Sequence, residues 1–210
     1  MSTKERILDA AERLFAQSGV EATSLRAITN EANVNLASVN YHFHSKDTLV
    51  HAVIARRMGP INERRLAMLA ECESAAGSGR LPLDKVLEAF LLPVLEAAAK
   101  HAPDFGPIIG RIYTEPKEFA EKMYKGHLEA VAKRFFAAFA RALPELPEEE
   151  LYWRLHFTFG AVAHTIGNGH LLSIISGGKC NLSNLPAVFR RMETFMLAGL
   201  HAPVEEVVKC

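Results

Sequence analysis

Apolar residues recur along this chain at three- and four-residue intervals almost from its start, and that spacing predicts helices. Ile7, Leu8, Ala11, Leu14 and Phe15 make one apolar face. Ser2 followed by Glu5 has the form of a capping box, and Gly19 is suited to end the helix in a left-handed conformation. A second, short helix is expected to begin at Thr23 or Ser24, to turn Leu25 and Ile28 inward, and to stop around Asn33, which tolerates positive φ. Asn35 then caps a third helix through about Tyr41. Ser45 opens a fourth that carries Leu49, Val53 and Ile54. Two short helices joined by a tight turn, with a helix on either side, form a helix-turn-helix unit plus a connector.

The remainder also follows helical spacing, with little of the two-residue alternation of strands. Residues 74–80 are small and glycine-containing and are expected to form a loop. Leu83, Val86, Leu87, Phe90, Leu91, Val94 and Leu95 make a broad stripe, with a kink expected near Pro93. Pro103, Gly106, Pro107 and Gly110 make residues 102–110 irregular. One helix is predicted from about Pro116 to Leu143, presenting Phe119, Met123, Val131, Phe135 and Phe139. Three glutamates at 148–150 favour the start of another, which runs to about Ser176. The last helix covers roughly 184–200, and residues 201–210 form a frayed tail. The expected fold is all-α, with a helix-turn-helix domain over 1–50 and a helical domain over 51–210.

Charge narrows what this fold can bind. Twenty-four basic side chains face twenty-four acidic ones, so any nucleic-acid surface must be a local patch. Residues 1–57 carry seven basic and six acidic groups. The three cysteines, Cys72, Cys180 and Cys210, form no C-x-x-C pair, which argues against a zinc ribbon or redox dithiol and suits reduced thiols. Residues 1–15 lack the apolar centre of a secretory leader, and no apolar run is long enough to span a bilayer. A cytoplasmic protein with no membrane partner is expected. No G-x-S-x-G, H-E-x-x-H, P-loop or dinucleotide signature is present, so neither catalytic residues nor a cofactor are expected. His156 and His164 share a helix face with Gly160 and Gly167, but eight residues separate them by about 12 Å. That is too far for one metal ion, and the glycines suit close approach of another helix.

The third helix offers chemistry for DNA. It exposes Asn35, Ala37, Ser38 and Asn40; asparagine can bond an adenine edge and alanine can contact a thymine methyl in the major groove. Tyr41, His42 and Lys46 cluster beyond it as phosphate donors, with Lys46 at a helix N-terminus. Packing alone would also explain such a unit, and Ile28, Val34 and Phe43 are read as core. The run from Thr23 to Leu49, centred on Asn40-Tyr41-His42-Phe43-His44-Ser45-Lys46, resembles the DNA-binding signature of the TetR family, and the match covers nearly all of residues 5–55. Asn33 stands where that family usually has glycine. The resemblance implies a regulator of double-stranded operator DNA, and it adds Thr23, Ser24 and Arg26 to the interface. A scaffold dimer without a ligand switch and a small helical enzyme are the competing classes.

Within that family the chain is most similar to the PsrA type of fatty-acid-responsive regulator. The residues are Ser24-Leu-Arg, Ile28-Thr29, Val34-Asn-Leu-Ala-Ser-Val-Asn-Tyr-His-Phe43, Met58-Gly-Pro60 and Glu150-Leu-Tyr-Trp-Arg-Leu-His-Phe157. This resemblance implies a C-terminal domain that forms a homodimer and binds a small apolar effector, an acyl chain or acyl thioester. Phe90, Phe105, Ile108, Arg111, Ile112, Tyr113, Met123, Phe136 and Phe157 are the candidate effector contacts, since such sites are apolar with a few placed polar groups. Arg111 suits a carboxylate, with a pair to Glu115 as its competing role. The dimer is expected to use residues 148–176 and 184–200, and the regulator to be a repressor.

Overall fold

The capping box forms as predicted. The Ser2 hydroxyl accepts from the Glu5 N–H at 3.2 Å, while the Glu5 carboxylate accepts from the Ser2 N–H at 2.6 Å. This starts α1 (Thr3–Ser18), which ends at Gly19 with φ 86°. The Ser24 side chain caps α2 (Leu25–Glu31), and Asn33 turns the chain with φ 49°. Asn35 caps α3 (Leu36–Phe43), which runs two residues past the predicted end, and His44 closes it at φ 61°. Ser45 accepts from the Thr48 N–H to open α4 (Lys46–Ala76). These observations come from a computed structural model, which describes residues 1–101 and 117–204.

Two expectations need revision here. The loop expected at 74–80 begins only at Gly77, because Ala75 and Ala76 are strong helix formers and extend α4. Helix α5 (Leu83–His101) contains Pro93, the position of the expected kink. The helix expected from 116 to 143 is three pieces: α6 (Lys117–Met123), a π turn (Tyr124–Leu128) and α7 (Glu129–Ala142). The interruption lies where this segment docks on α4. A π turn disturbs the regular pairing of carbonyls, and Asn62 Nδ2 donates to the His127 carbonyl at 3.1 Å. Beside it, His51 Nδ1 and His127 Nε2 share a hydrogen bond of 2.9 Å.

Helix α8 (Glu148–Ile175) bends at Asn168, whose φ of −126° and ψ of 22° leave the helical region. The next residue, Gly169, leaves room for a neighbouring side chain. A Cβ on Gly169 would lie 2.2 Å from Leu182 Cδ1, in the connection to α9 (Leu185–Leu200), so Leu182 would have to shift. Among the described residues there is no β-strand, and no helix is long and apolar enough to cross a membrane.

The buried side chains form two cores. The first contains Ile7, Phe15, Ile28, Val39, Phe43, Leu49, Val53 and Ile54, joined by Met123 from α6. The second begins at Ile61 and includes Leu69, Leu87, Leu91, Phe135, Phe139, Leu151 and Met196. The two divide inside α4, at Met58, Gly59 and Pro60. Met58 packs against both. Helix α1 is fastened to α4 by Glu12, 2% exposed, which takes Arg56 and Arg57 while Asp9 takes Arg56 at 2.7 Å.

Glu12→Ala is expected to cost about 3 kcal/mol in a urea unfolding experiment, because it removes the buried carboxylate that two arginines share at this seam. Burial, and then the neighbouring His51, hold the pKa of His127 below its ordinary 6.5. The unfolded chain binds that proton more readily. The contribution is therefore present above about pH 6.5 and is lost as pH falls toward the depressed folded value. Stability measured from pH 7.5 to 5 is expected to fall less steeply in His127→Gln than in the native protein.

Candidate nucleic-acid interface

Val39 and Phe43, both fully buried, fix α3 against the first core and decide which of its residues face outward. Leu36, Ala37, Asn40, Tyr41 and His44 are exposed, Tyr41 to 79%. Positions 37, 40, 41 and 44 stand three and four apart and make one stripe. His44 was not singled out from the sequence, although its spacing four residues after Asn40 carried the signal. The Tyr41 and His42 rings meet edge-on at 5.0 Å.

Several of the sequence-predicted residues are engaged within the chain. Asn35 Oδ1 accepts from the Ser38 N–H at 2.8 Å and from the Ser38 hydroxyl at 2.9 Å, which leaves its Nδ2 to face a ligand. Thr23 is buried; its hydroxyl donates to the Gly19 carbonyl at 2.7 Å and secures the corner between α1 and α2. Ser24 accepts from the Ala27 N–H at 3.1 Å. Arg26 is exposed. Lys46 Nζ donates to the Glu21 carbonyl at 3.1 Å, bringing the start of α4 to the loop before α2.

Ion pairing shapes the local charge. Glu31 is held by Arg13 at 3.0 Å and Asp47 by Lys122 at 3.3 Å, while Asp9 and Glu12 face Arg56 and Arg57. Most acids of the first 57 residues are thus neutralised by a partner. A near-neutral domain can present a face that does not repel phosphate.

Of the expected effector contacts, the four described ones, Phe90, Met123, Phe136 and Phe157, do not come together as one set. Phe90 is buried, with the rings of Phe159, Phe135 and Phe139 at 4.9, 5.4 and 6.4 Å. Met123 belongs to the first core. Phe136 stacks on Tyr152 at 4.2 Å. Phe157 is 64% exposed and stacks against Trp153 at 5.9 Å. Phe105, Ile108, Arg111, Ile112 and Tyr113 lie outside the described residues, as does Glu115.

Comparison with known proteins gives these elements their family. Residues 7–53 match the model for bacterial regulatory proteins of the tetR family, and residues 88–199 match a tetracyclin repressor-like C-terminal domain. The chain belongs to the TetR family. It is therefore a DNA-binding transcriptional regulator and not an enzyme. The transcriptional repressor KstR of Mycolicibacterium smegmatis is 27% identical over 150 residues, 71% of this chain and 67% of that one. Two further regulators are matched over 62% and 27% of their own lengths. A TetR-family regulator from Bordetella parapertussis shares the fold with a TM-score of 0.68 at 16% identity, over 96% of this chain and 98% of that one. The fatty acid degradation regulator FadR from Bacillus halodurans does so with a TM-score of 0.66 at 15% identity, over 97% and 98%.

The TetR N-terminal match ends at residue 53, one residue before Ile54, the last residue that α4 gives to the first core. In the TetR C-terminal domain, the run from Glu150 to Phe157 divides by face. Arg154, 8% exposed, donates to the carbonyls of Gly199, Leu200, Ala202 and Pro203 and to Glu150, and so closes the end of α9. Tyr152, Trp153 and Phe157 point outward. Removal of the cap by Asn35→Ala is expected to cost about 1 kcal/mol of stability, measured by thermal unfolding without DNA.

Proposed function

We propose that this protein is a repressor whose homodimer reads a pseudo-palindromic operator with α3 and releases it when a small apolar effector binds the C-terminal domain. The observation that carries the DNA side is the stripe of Ala37, Asn40, Tyr41 and His44 on a helix held rigid by Val39 and Phe43. Asn40 has the donor and acceptor to read an adenine edge. Tyr41, His42, Lys46 and Arg26 supply phosphate contacts, and Ser24 and Thr23 hold the backbone that presents them. The repressor KstR supports the direction of regulation, and the role of FadR as a regulator of fatty acid degradation supports an acyl effector.

Dimerisation through α8 and α9 follows from what those helices leave uncovered. Trp153 and Phe157 on α8 and Phe195 on α9 are more than half exposed, and Gly160 and Gly199 have nothing within 4 Å of an added Cβ. Aromatic side chains beside open glycines suit close packing of a second copy across a two-fold axis. Such a dimer sets two α3 helices at a fixed separation. An effector loosens DNA only by preferring a different separation. Residues 102–110, which the sequence marks as irregular, lie outside the described residues. The π turn and Met123, which dock on α4 and the first core, supply a contact through which that preference reaches the reading head.

Size measurement is expected to show a dimer, with Phe157→Asp shifting it toward monomer and weakening operator binding. Footprinting is expected to show two-fold protection with half-sites about 34–36 Å apart or a multiple of that spacing. Lys46→Ala should weaken all DNA alike and reduce the salt dependence by about one ion. Asn40→Ala should cost about 1–3 kcal/mol on operator with less effect on unrelated DNA. A protein that footprints without symmetry would refute the dimeric reader.

A further inference from the structure

Arg65 on α4 is 6% exposed, yet no carboxylate among the described residues pairs with it. Its Nε donates to the Phe90 carbonyl at 2.9 Å, one Nη reaches Asn62 Oδ1 at 3.4 Å, and its guanidinium carbon stands 4.3 Å from the centre of the Phe90 ring. All of these partners are neutral. Arg154 makes the contrast: buried to a similar degree, it has Glu150 and four carbonyls. Burial alone pushes the Arg65 pKa down to about 10, so the group remains charged at neutral pH. A guanidinium has five donors in a planar fork, and two of them are used here. An interior positive charge calls for a counter-charge.

We propose that Arg65 is the anion anchor of the effector site, and that the effector is an amphiphile with an apolar body and a carboxylate or comparable oxyanion head. This rests on the effector reading above and specifies it. The apolar body has a matching environment, because the ring under Arg65 belongs to the group of Phe90, Phe135, Phe139 and Phe159. The head has a matching geometry, since an oxyanion can take two parallel N–H groups of the fork. The same arginine touches the joint between the two cores. Asn62, to which it donates, also donates to the His127 carbonyl, and the His127 ring bonds His51 near the start of α4. An anion that claims the Nη groups competes with the long 3.4 Å contact to Asn62. Occupancy of the site is thereby felt at the contact between the C-terminal domain and the reading head.

The test compares sodium dodecanoate with 1-dodecanol, which share the chain and differ in the charged head. Binding to the full-length protein is measured by calorimetry, and release of operator DNA by fluorescence anisotropy. The native protein is expected to bind dodecanoate about tenfold or more tighter than dodecanol, as a charge-assisted pair would give. Arg65→Met is expected to abolish that preference, and Arg65→Lys, which keeps the charge but not the fork, to retain part of it. A purely structural arginine predicts altered thermal stability in both variants with the preference unchanged, and that result would overturn the proposal. Equal binding of the two probes by the native protein overturns the anchor while leaving an apolar effector in place. Binding of neither overturns the anchor and the acyl reading together.

Discussion

Helix α4 has to satisfy two hydrophobic cores along one continuous backbone, and most of the architecture answers to that constraint. Its first turns bury Leu49, Val50, Val53 and Ile54 against the helix-turn-helix unit, and its later turns bury Ile61, Arg65 and Leu69 in the second core. Burial of side chains of this size is worth roughly 1.5–3 kcal/mol each, so neither end can leave its core cheaply. A change in one core must therefore be taken up by rotation, by translation, or at the Met58-Gly59-Pro60 step between them. Pro60 removes one backbone donor there, and Gly59 adds no side chain that would stiffen the turn.

Polar groups decide how the two bodies meet along this helix. The Glu12 pair ties α1 to α4 just before the step, while Asn62, His127 and His51 form a polar contact across the docked π turn. Hydrogen bonds between buried partners are directional and costly to leave unmade. The joint thus has a defined geometry that apolar contact alone would not impose. Met123, at the end of α6, adds the apolar part, because its side chain completes the core of the reading head.

Much of the fold was legible in the sequence because its signals are local. The caps at Ser2, Ser24, Asn35 and Ser45 form with the partners that chain spacing dictates. Asn33 adopts the positive φ that its side chain tolerates. The stripe on α3 was largely readable for the same reason, since Val39 and Phe43 show which face turns inward. The ends of α4 and the interruption at 124–128 were less legible, because they depend on what the segment packs against.

The sequence by itself determined the helices, their caps and the motif that places the chain in the TetR family, because each depends on residues a few positions apart. Only the tertiary structure decided that Thr23 is buried, that Phe157 faces outward, and that Met123 serves the other core. Helical periodicity marks an apolar residue as suited to burial but cannot say against which neighbour, since that partner is brought near by chain folding and not by spacing. The same limit hid Arg65. An arginine among polar residues reads as surface, and its burial next to Phe90, twenty-five residues away, appears only once α4 and α5 pack together.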